Sequence, residues 1–165
     1  MFLLRNGLRR IMTEALVPAA GNCSDDYRVI CDRSPGPCMV FDTSFRVLAQ
    51  NEAHARATLT KPEQTIGRSL FDIFPDNPND SSANGLAQLR ASLLKVLNTR
   101  ERDAMPLIKY DVERPGTGGL FEVRYWEVAN TPLLDSEGYV CCIINQAEDV
   151  TELVRQGTLT YRLDI

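Results

Sequence analysis

The sequence predicts an α+β fold: a five-stranded antiparallel sheet with several short helices and one long helix on one face, plus an N-terminal helix. Three observations predict it. Cys38 to Ala49 reads as two apolar runs around the polar turn Asp42-Thr43-Ser44, the pattern of a hairpin. Leu86, Leu89, Leu93, Leu94 and Leu97 recur at helical spacing along one segment from about Asn84 to Thr99. Behind that segment come three more apolar runs, separated by turns rich in Gly, Pro and Asp.

Composition narrows the classes of function. At 165 residues the chain has room for one domain with extensions, whose core needs neither disulfides nor metal, and none for a second catalytic domain. A hydrophobic content of 44%, a charged content of 24% and a net charge of -4 give no electrostatic reason to expect nucleic acid as a partner. The acidic balance predicts a soluble protein, and the cysteine usage a cytoplasmic one. Five cysteines, Cys23, Cys31, Cys38, Cys141 and Cys142, show neither the CxxC spacing of a zinc site nor the dense pattern of a secreted scaffold, which predicts reduced thiols.

Residues 1–26 form a basic, partly apolar extension. Arginines interrupt its apolar run well short of the ~20 residues a bilayer span needs, so no membrane anchor is expected. Leu4, Leu8, Ile11, Ala15 and Leu16 recur at helical spacing and predict an amphipathic helix packed on the domain or on a second copy.

The domain proper spans residues 27–154. Ser24-Asp25-Asp26 caps a lead-in helix through Tyr27, Val29, Ile30 and Cys31, and Ser34-Pro35-Gly36-Pro37 stops it. The hairpin follows, and Asn51 opens an alanine-rich helix on which His54 reads as a surface residue. Lys61 to Gln64 begins a short helical turn that ends at Gly67, and Ser69 to Phe74 is a third short helix stopped by Pro75. Residues 75–83 form a loop before the long helix.

Met105 to Arg114 alternates, with Ile108, Tyr110 and Val112 on one face, and reads as a strand. Leu120 to Leu134 is a second long strand, kinked or ended near Pro132. Tyr139 to Gln146 is apolar on both faces. A sheet with helices on one side needs only one apolar face, so Val140, Cys142 and Ile144, opposite Cys141 and Ile143, predict a cover on the second face. That cover is the N-terminal helix or a second protomer, which makes these three residues the candidate dimer face. Asp149 or Thr151 caps a last helix, and residues 155–165 are a tail or truncated linker.

In order and spacing these segments resemble the PAS family over nearly everything from Tyr27 to Val154. Phe45-Arg46-Val47-Leu48-Ala49-Gln50-Asn51 is similar to the family's opening, and Gly67-Arg68-Ser69-Leu70-Phe71-Asp72-Ile73-Phe74-Pro75 to its helical middle. Arg124-Tyr125-Trp126 and Asn130-Thr131-Pro132-Leu133 resemble its closing strands, and Asp149-Val150-Thr151-Glu152 its exit motif. The resemblance implies a bacterial-type sensor for signal transduction. Sheet and short helices would enclose a pocket for a small ligand, and the exit helix would pass changes to an output partner such as a histidine kinase. It implies a homodimer as well; the alternative is a ligand-free dimerisation or protein-interaction module.

Within that frame the pocket candidates are Phe71, Phe74, Ile108, Tyr110, Tyr125, Trp126 and Asn130, aromatic and aliphatic surfaces with one amide. Tyr125 alternates with Trp126 and Asn130 and cannot share their face in a regular strand. Trp126 reads equally well as packing against the lead-in helix or a dimer partner, and Phe71, Phe74, Ile108 and Tyr110 as plain core. Asp149, Thr151 and Glu152 are the candidate signal exit, with a helix cap as the simplest role of the first two. No enzyme is expected: the only histidine, His54, is early in the domain, and Asp72, Asp76 and Asp80 read as loop residues rather than an acid–base pair. The cofactor is left open. Haem is disfavoured because Leu86 to Leu97 offers no axial ligand. Flavin is disfavoured because the photoreceptor branch of the family needs a cysteine in an Asn-Cys-Arg context after the first short helices, whereas Asn22-Cys23-Ser24 precedes the domain.

Overall fold

Asp42 turns the first hairpin. In the computed structural model, which describes residues 26–161, its Oδ1 accepts the backbone N–H groups of Ser44 and Arg46 at 2.8 and 2.9 Å. That ring of bonds holds Phe45 at a left-handed φ of 62°, which bulky residues seldom adopt. β1 (Cys38–Asp42) and β2 (Val47–Gln50) pair antiparallel on either side of it. The amphipathic helix expected over residues 1–26 and the end of the expected tail lie outside the described residues.

Before the hairpin comes α1 (Asp26–Arg33), and after it three short helices, α2 (Glu52–Thr58), α3 (Pro62–Thr65) and α4 (Leu70–Ile73). Asn51 caps α2 through a bond from the His54 N–H, and Ser69 caps α4 through one from the Phe71 N–H. The long helix is α5 (Gly85–Thr99). Its buried face is Ser92, Leu93 and Val96, whereas Leu94, expected among the inward leucines, is exposed because it falls about 100° round the helix from Leu93.

The remaining elements are β3 (Asp103–Ala104), β4 (Ile108–Lys109), β5 (Val112–Glu113), β6 (Phe121–Glu122), β7 (Tyr125–Leu134), β8 (Val140–Asp149) and α6 (Thr151–Arg155). The main sheet runs β2-β1-β8-β7, with β3 and β4 both paired to the far edge of β7, every pair antiparallel. The five expected strands are thus five columns, the last one broken in two. Pro106, between the two segments, has no N–H to give to the ladder. The expected single strands Met105–Arg114 and Leu120–Leu134 each break as well, and their outer halves pair as the separate hairpin β5–β6. Pro132, by contrast, does not end β7. It pairs with Ile143 beyond the last β3 partner, Asn130, so it has a strand on one side only, where a missing donor is tolerated.

Both faces of the sheet are covered. On the inner face Met39, Phe41, Val47 and Ile143 meet Leu70 of α4 and Leu93 and Val96 of α5. Full burial of a side chain such as Phe41 or Leu93 stabilises by roughly 1.5–3 kcal/mol. On the outer face Cys38, Val40, Ala49, Cys142 and Ile144 pack against Tyr27 and Cys31 of α1.

This arrangement corrects the candidate dimer face. Leu133 pairs with Cys142 and Leu134 with Val140, so a bulge at Cys141 turns Val140 to the inner face, where it joins the Phe41 cluster. Cys142 and Ile144 do face outward, but the chain's own α1 already buries them. Cys31, Cys38 and Cys142 are buried free thiols. Among the described residues no helix is long and apolar enough to cross a membrane.

Candidate functional site: a central cavity and the exit from the sheet

Strand alternation aims Met39 and Phe41 of β1, Trp126 and Val128 of β7, and Asn145 and Ala147 of β8 toward the helices. They do not fill the space. A cavity of about 60 Å³ remains, closed on the helical side by His54 and Thr58 of α2, Leu70 and Phe74 around α4, and Gly85, Leu86 and Leu89 of α5. Ile108 and Tyr110 complete the wall. A Cβ on Gly85 would lie 2.9 Å from Tyr110 Cδ2 and 3.0 Å from the Lys109 carbonyl oxygen, so only glycine lets α5 start this close to β4. Outside lies a second cleft of about 230 Å³. Thr58, Phe74 and Tyr110 border both spaces and form the partition between them.

Two chains of polar side chains end at the cavity wall. In the first, Gln50 Nε2 contacts His54 Nδ1 at 2.9 Å and Thr60 Oγ1 at 2.8 Å. Burial pushes the His54 imidazole down from its ordinary value to about 4, so it is neutral at physiological pH. In the second, Asp103 accepts the Ser92 hydroxyl at 2.6 Å, Ser92 Oγ accepts Asn130 Nδ2 at 2.8 Å, and Asn130 Oδ1 accepts Asn145 Nδ2 at 2.8 Å. Asn130, fully buried, thus links α5 to β8 from the middle of β7.

Of the residues expected in the pocket, Phe74, Ile108, Tyr110 and Trp126 border the cavity. Trp126 donates its indole N–H to the Tyr110 carbonyl at 2.9 Å, which satisfies the one polar atom of a buried ring. Phe71, Tyr125 and Asn130 lie elsewhere. Phe71 packs edge-on to Phe45 beneath the Arg90 guanidinium, and Tyr125, on the opposite face of β7 from Trp126, tilts against Tyr161. His54 is the largest departure: expected at the surface, it is buried, because α2 lies with this side against the sheet and the Phe74 ring.

At the far end of β7 and β8 the chain leaves the sheet through a second polar cluster. Asp149 Oδ1 accepts the N–H and hydroxyl of Thr151, and its Oδ2 accepts Arg124 Nη1 at 2.6 Å. Thr151 Oγ1 in turn accepts the Tyr125 N–H at 3.0 Å, so the first turn of α6 is tied to the start of β7. Burial pushes the Asp149 carboxyl up, but its bonds from Thr151 and Arg124 outweigh that and hold it below the ordinary range. Glu152, the third candidate exit residue, is exposed and pairs locally, with Arg155 of α6 and with Gln156 just past its end.

Residues 31–155 match the family profile described as the PAS fold. The chain belongs to the PAS family. Solved PAS-type structures are similar to it at low identity. The PAS domain of BvgS from Bordetella pertussis is 25% identical with a TM-score of 0.54, over 80% of this chain and 91% of that one. An RNA-binding light-oxygen-voltage receptor is 17% identical with a TM-score of 0.58; the match covers 86% of this chain but only 36% of the receptor chain. VqmA bound to DPO is 20% identical with a TM-score of 0.54, over 76% and 57% of the two chains. No curated protein sequence matches. As a PAS domain the chain is a sensory or interaction module, and its cavity lies between the sheet and the short helices, where the sequence resemblance places a pocket.

Several cavity residues had no sequence signal of their own. Thr58, Val128 and Ala147 are ordinary helix and strand residues, and Val128 meets Ala147 only through the paired register of β7 and β8. Asn145 could have been found: an amide in the strand Cys141-Cys142-Ile143-Ile144-Asn145 interrupts an apolar run, and a buried amide requires partners.

Proposed function

We propose that this PAS domain is a sensor for a small uncharged molecule held in the central cavity, and that it relays occupancy through α6 to an output partner such as a histidine kinase. The cavity is the observation that carries this reading. A well-packed core of this size leaves few voids larger than a water, yet here a space of about 60 Å³ persists beside a buried polar chain. At roughly 10–15 Å³ per water-sized group, it takes about four to six heavy atoms. The relay half rests on the bonds that tie Thr151 to both Asp149 and Tyr125, since strand and exit helix then move as one.

A second reading, homodimerisation, is supported by one observation: Val29 and Ile30, on the outer side of α1, are 51% and 43% exposed. With α1 already covering Cys142 and Ile144, a second copy would pack on α1 rather than on the sheet.

Native mass spectrometry of protein from its own host, compared with the same sample denatured, tests both. A dimer that sheds a stoichiometric small mass on denaturation is expected. A dimer with no added mass in either spectrum would leave the ligand-free interaction module as the better account.

A further inference from the structure

His54 is the only histidine of the chain, and its ring borders the cavity. The hydrogen bonds behind it fix where its proton sits. Thr58 Oγ1 lies 2.8 Å from the His54 carbonyl oxygen, which can only accept, so the Thr58 hydroxyl donates there. Its single proton is then spent, and the 2.8 Å bond between the Thr58 and Thr60 hydroxyls must be donated by Thr60. Thr60 Oγ1 therefore accepts from Gln50 and faces the amide nitrogen, not the oxygen. Gln50 Oε1 agrees, since it accepts the buried Thr65 hydroxyl at 2.6 Å. The second proton of the same amide nitrogen points at His54 Nδ1, 2.9 Å away, so Nδ1 accepts and the ring proton is on Nε2.

An imidazolium is excluded by the same logic. Protonating Nδ1 would set two donors against each other at 2.9 Å, and burial alone already pushes the ring down to about 4. The Nε2–H has no hydrogen-bond partner among the described residues, although the ring is only 4% exposed. Nε2 is not one of the sealed side-chain atoms without a partner, which among the described residues are Ser34 Oγ and Asp111 Oδ1, so this spare donor keeps access to open space on a ring whose cavity wall is otherwise mostly aliphatic and aromatic.

We propose that His54 is the residue that selects the ligand: its Nε2–H donates to a hydrogen-bond acceptor, a carbonyl, ether or hydroxyl oxygen, on a small molecule that is otherwise apolar. This rests on the ligand-binding reading above and narrows its chemistry. Anions are disfavoured because the described cavity wall carries no cation, and cations because it carries no carboxylate. A hydrocarbon of the same shape fills the space but leaves the donor unpaired.

The single histidine makes the test direct. Protein labelled with ¹⁵N-histidine is titrated with 2-butanone and with 2-methyl-1-butene, which replaces the carbonyl oxygen by a methylene. The expected result is a neutral ring protonated on Nε2, whose N–H resonance moves downfield with the ketone and not with the alkene. In His54→Phe the ratio of ketone to alkene affinity should fall about fivefold or more, the scale of one net hydrogen bond. If that variant does not fold, the wild-type spectra decide alone. A proton on Nδ1, or ketone binding that shifts the Met39 and Ile108 methyl signals while the Nε2–H stays put, overturns the role of His54 and leaves ligand binding standing. If neither probe moves any cavity methyl signal, the ligand-binding reading falls and this inference with it.

Discussion

Arg124 and Asp149, 25 residues apart, meet at 2.6 Å where β7 begins and β8 ends, and through Asp149 the guanidinium reaches the N–H and hydroxyl of Thr151 that open α6. Asp149→Asn keeps the shape of the side chain but removes its charge and weakens its hold on Arg124. Both partners are partly solvated, so the stability lost should be small, roughly 0.5–1 kcal/mol. The local effect should be larger. Hydrogen exchange of residues 151–155 is expected to accelerate while exchange in the β1–β8 ladder stays unchanged; uniform acceleration everywhere would show that the pair acts on global stability instead.

Asn51 has a fully used amide. Its Oδ1 accepts from the Cys38 and His54 N–H groups, and its Nδ2 donates to the Cys31 and Gly36 carbonyls, so one side chain fastens α1, β1 and α2 together. Asn51→Ala is expected to cost roughly 2–3 kcal/mol in denaturant unfolding, a cap plus buried carbonyls left unpaired. Asn51→Asp keeps the accepting half but sets a carboxylate oxygen against the Cys31 and Gly36 carbonyls in a buried site, and should cost at least as much as Asn51→Ala.

His54 gives a pH dependence with a defined sign. Its folded value, about 4, lies below the 6.5 of an exposed histidine, so between these values the unfolded chain binds the extra proton. Stability is full above about pH 6.5 and is lost as pH falls toward 4, by up to roughly 3 kcal/mol at about 1.4 kcal/mol per pH unit. The depressed carboxylates Asp103, Glu122 and Asp149 lose their contributions only near and below the ordinary carboxylate range, so they leave the upper part of this window to His54. Urea titrations from pH 5 to 7 should show the slope in wild type and its absence in His54→Phe.

The outer face separates core from interface. Ile144 is 9% exposed under Tyr27 and Cys31, so Ile144→Glu buries an unpaired charge and should prevent stable folding. Val29 is 51% exposed, and Val29→Glu should change monomer stability by no more than about 0.5 kcal/mol. If α1 is the dimer interface, sedimentation of Val29→Glu gives a monomer where wild type gives a dimer. A dimer of unchanged affinity would remove α1 from the interface.

Local signals carried most of the fold. Asp42, Asn51 and Ser69 sit at turns and helix starts where their side chains are needed, and the leucine spacing located α5. What alternation could not give was register. The bulge beside Cys141 reversed Val140, and Pro106 split a strand whose apolar pattern reads as continuous. The cavity was half visible for the same reason: Ile108, Tyr110 and Trp126 announce themselves as large apolar groups near strands, whereas His54 needed the tertiary packing of α2 to be turned inward. A lone polar residue on a short helix carries no periodicity from which to read its side.

The central claim, that the cavity and the exit helix are coupled, is tested most directly by hydrogen exchange of wild type and Arg124→Gln with and without saturating 2-butanone. The account predicts that the ketone slows exchange in α2 and α4 of both proteins, and that it changes exchange at residues 150–155 in wild type only. Protection confined to the cavity segments in both proteins, with residues 150–155 unmoved, would contradict it.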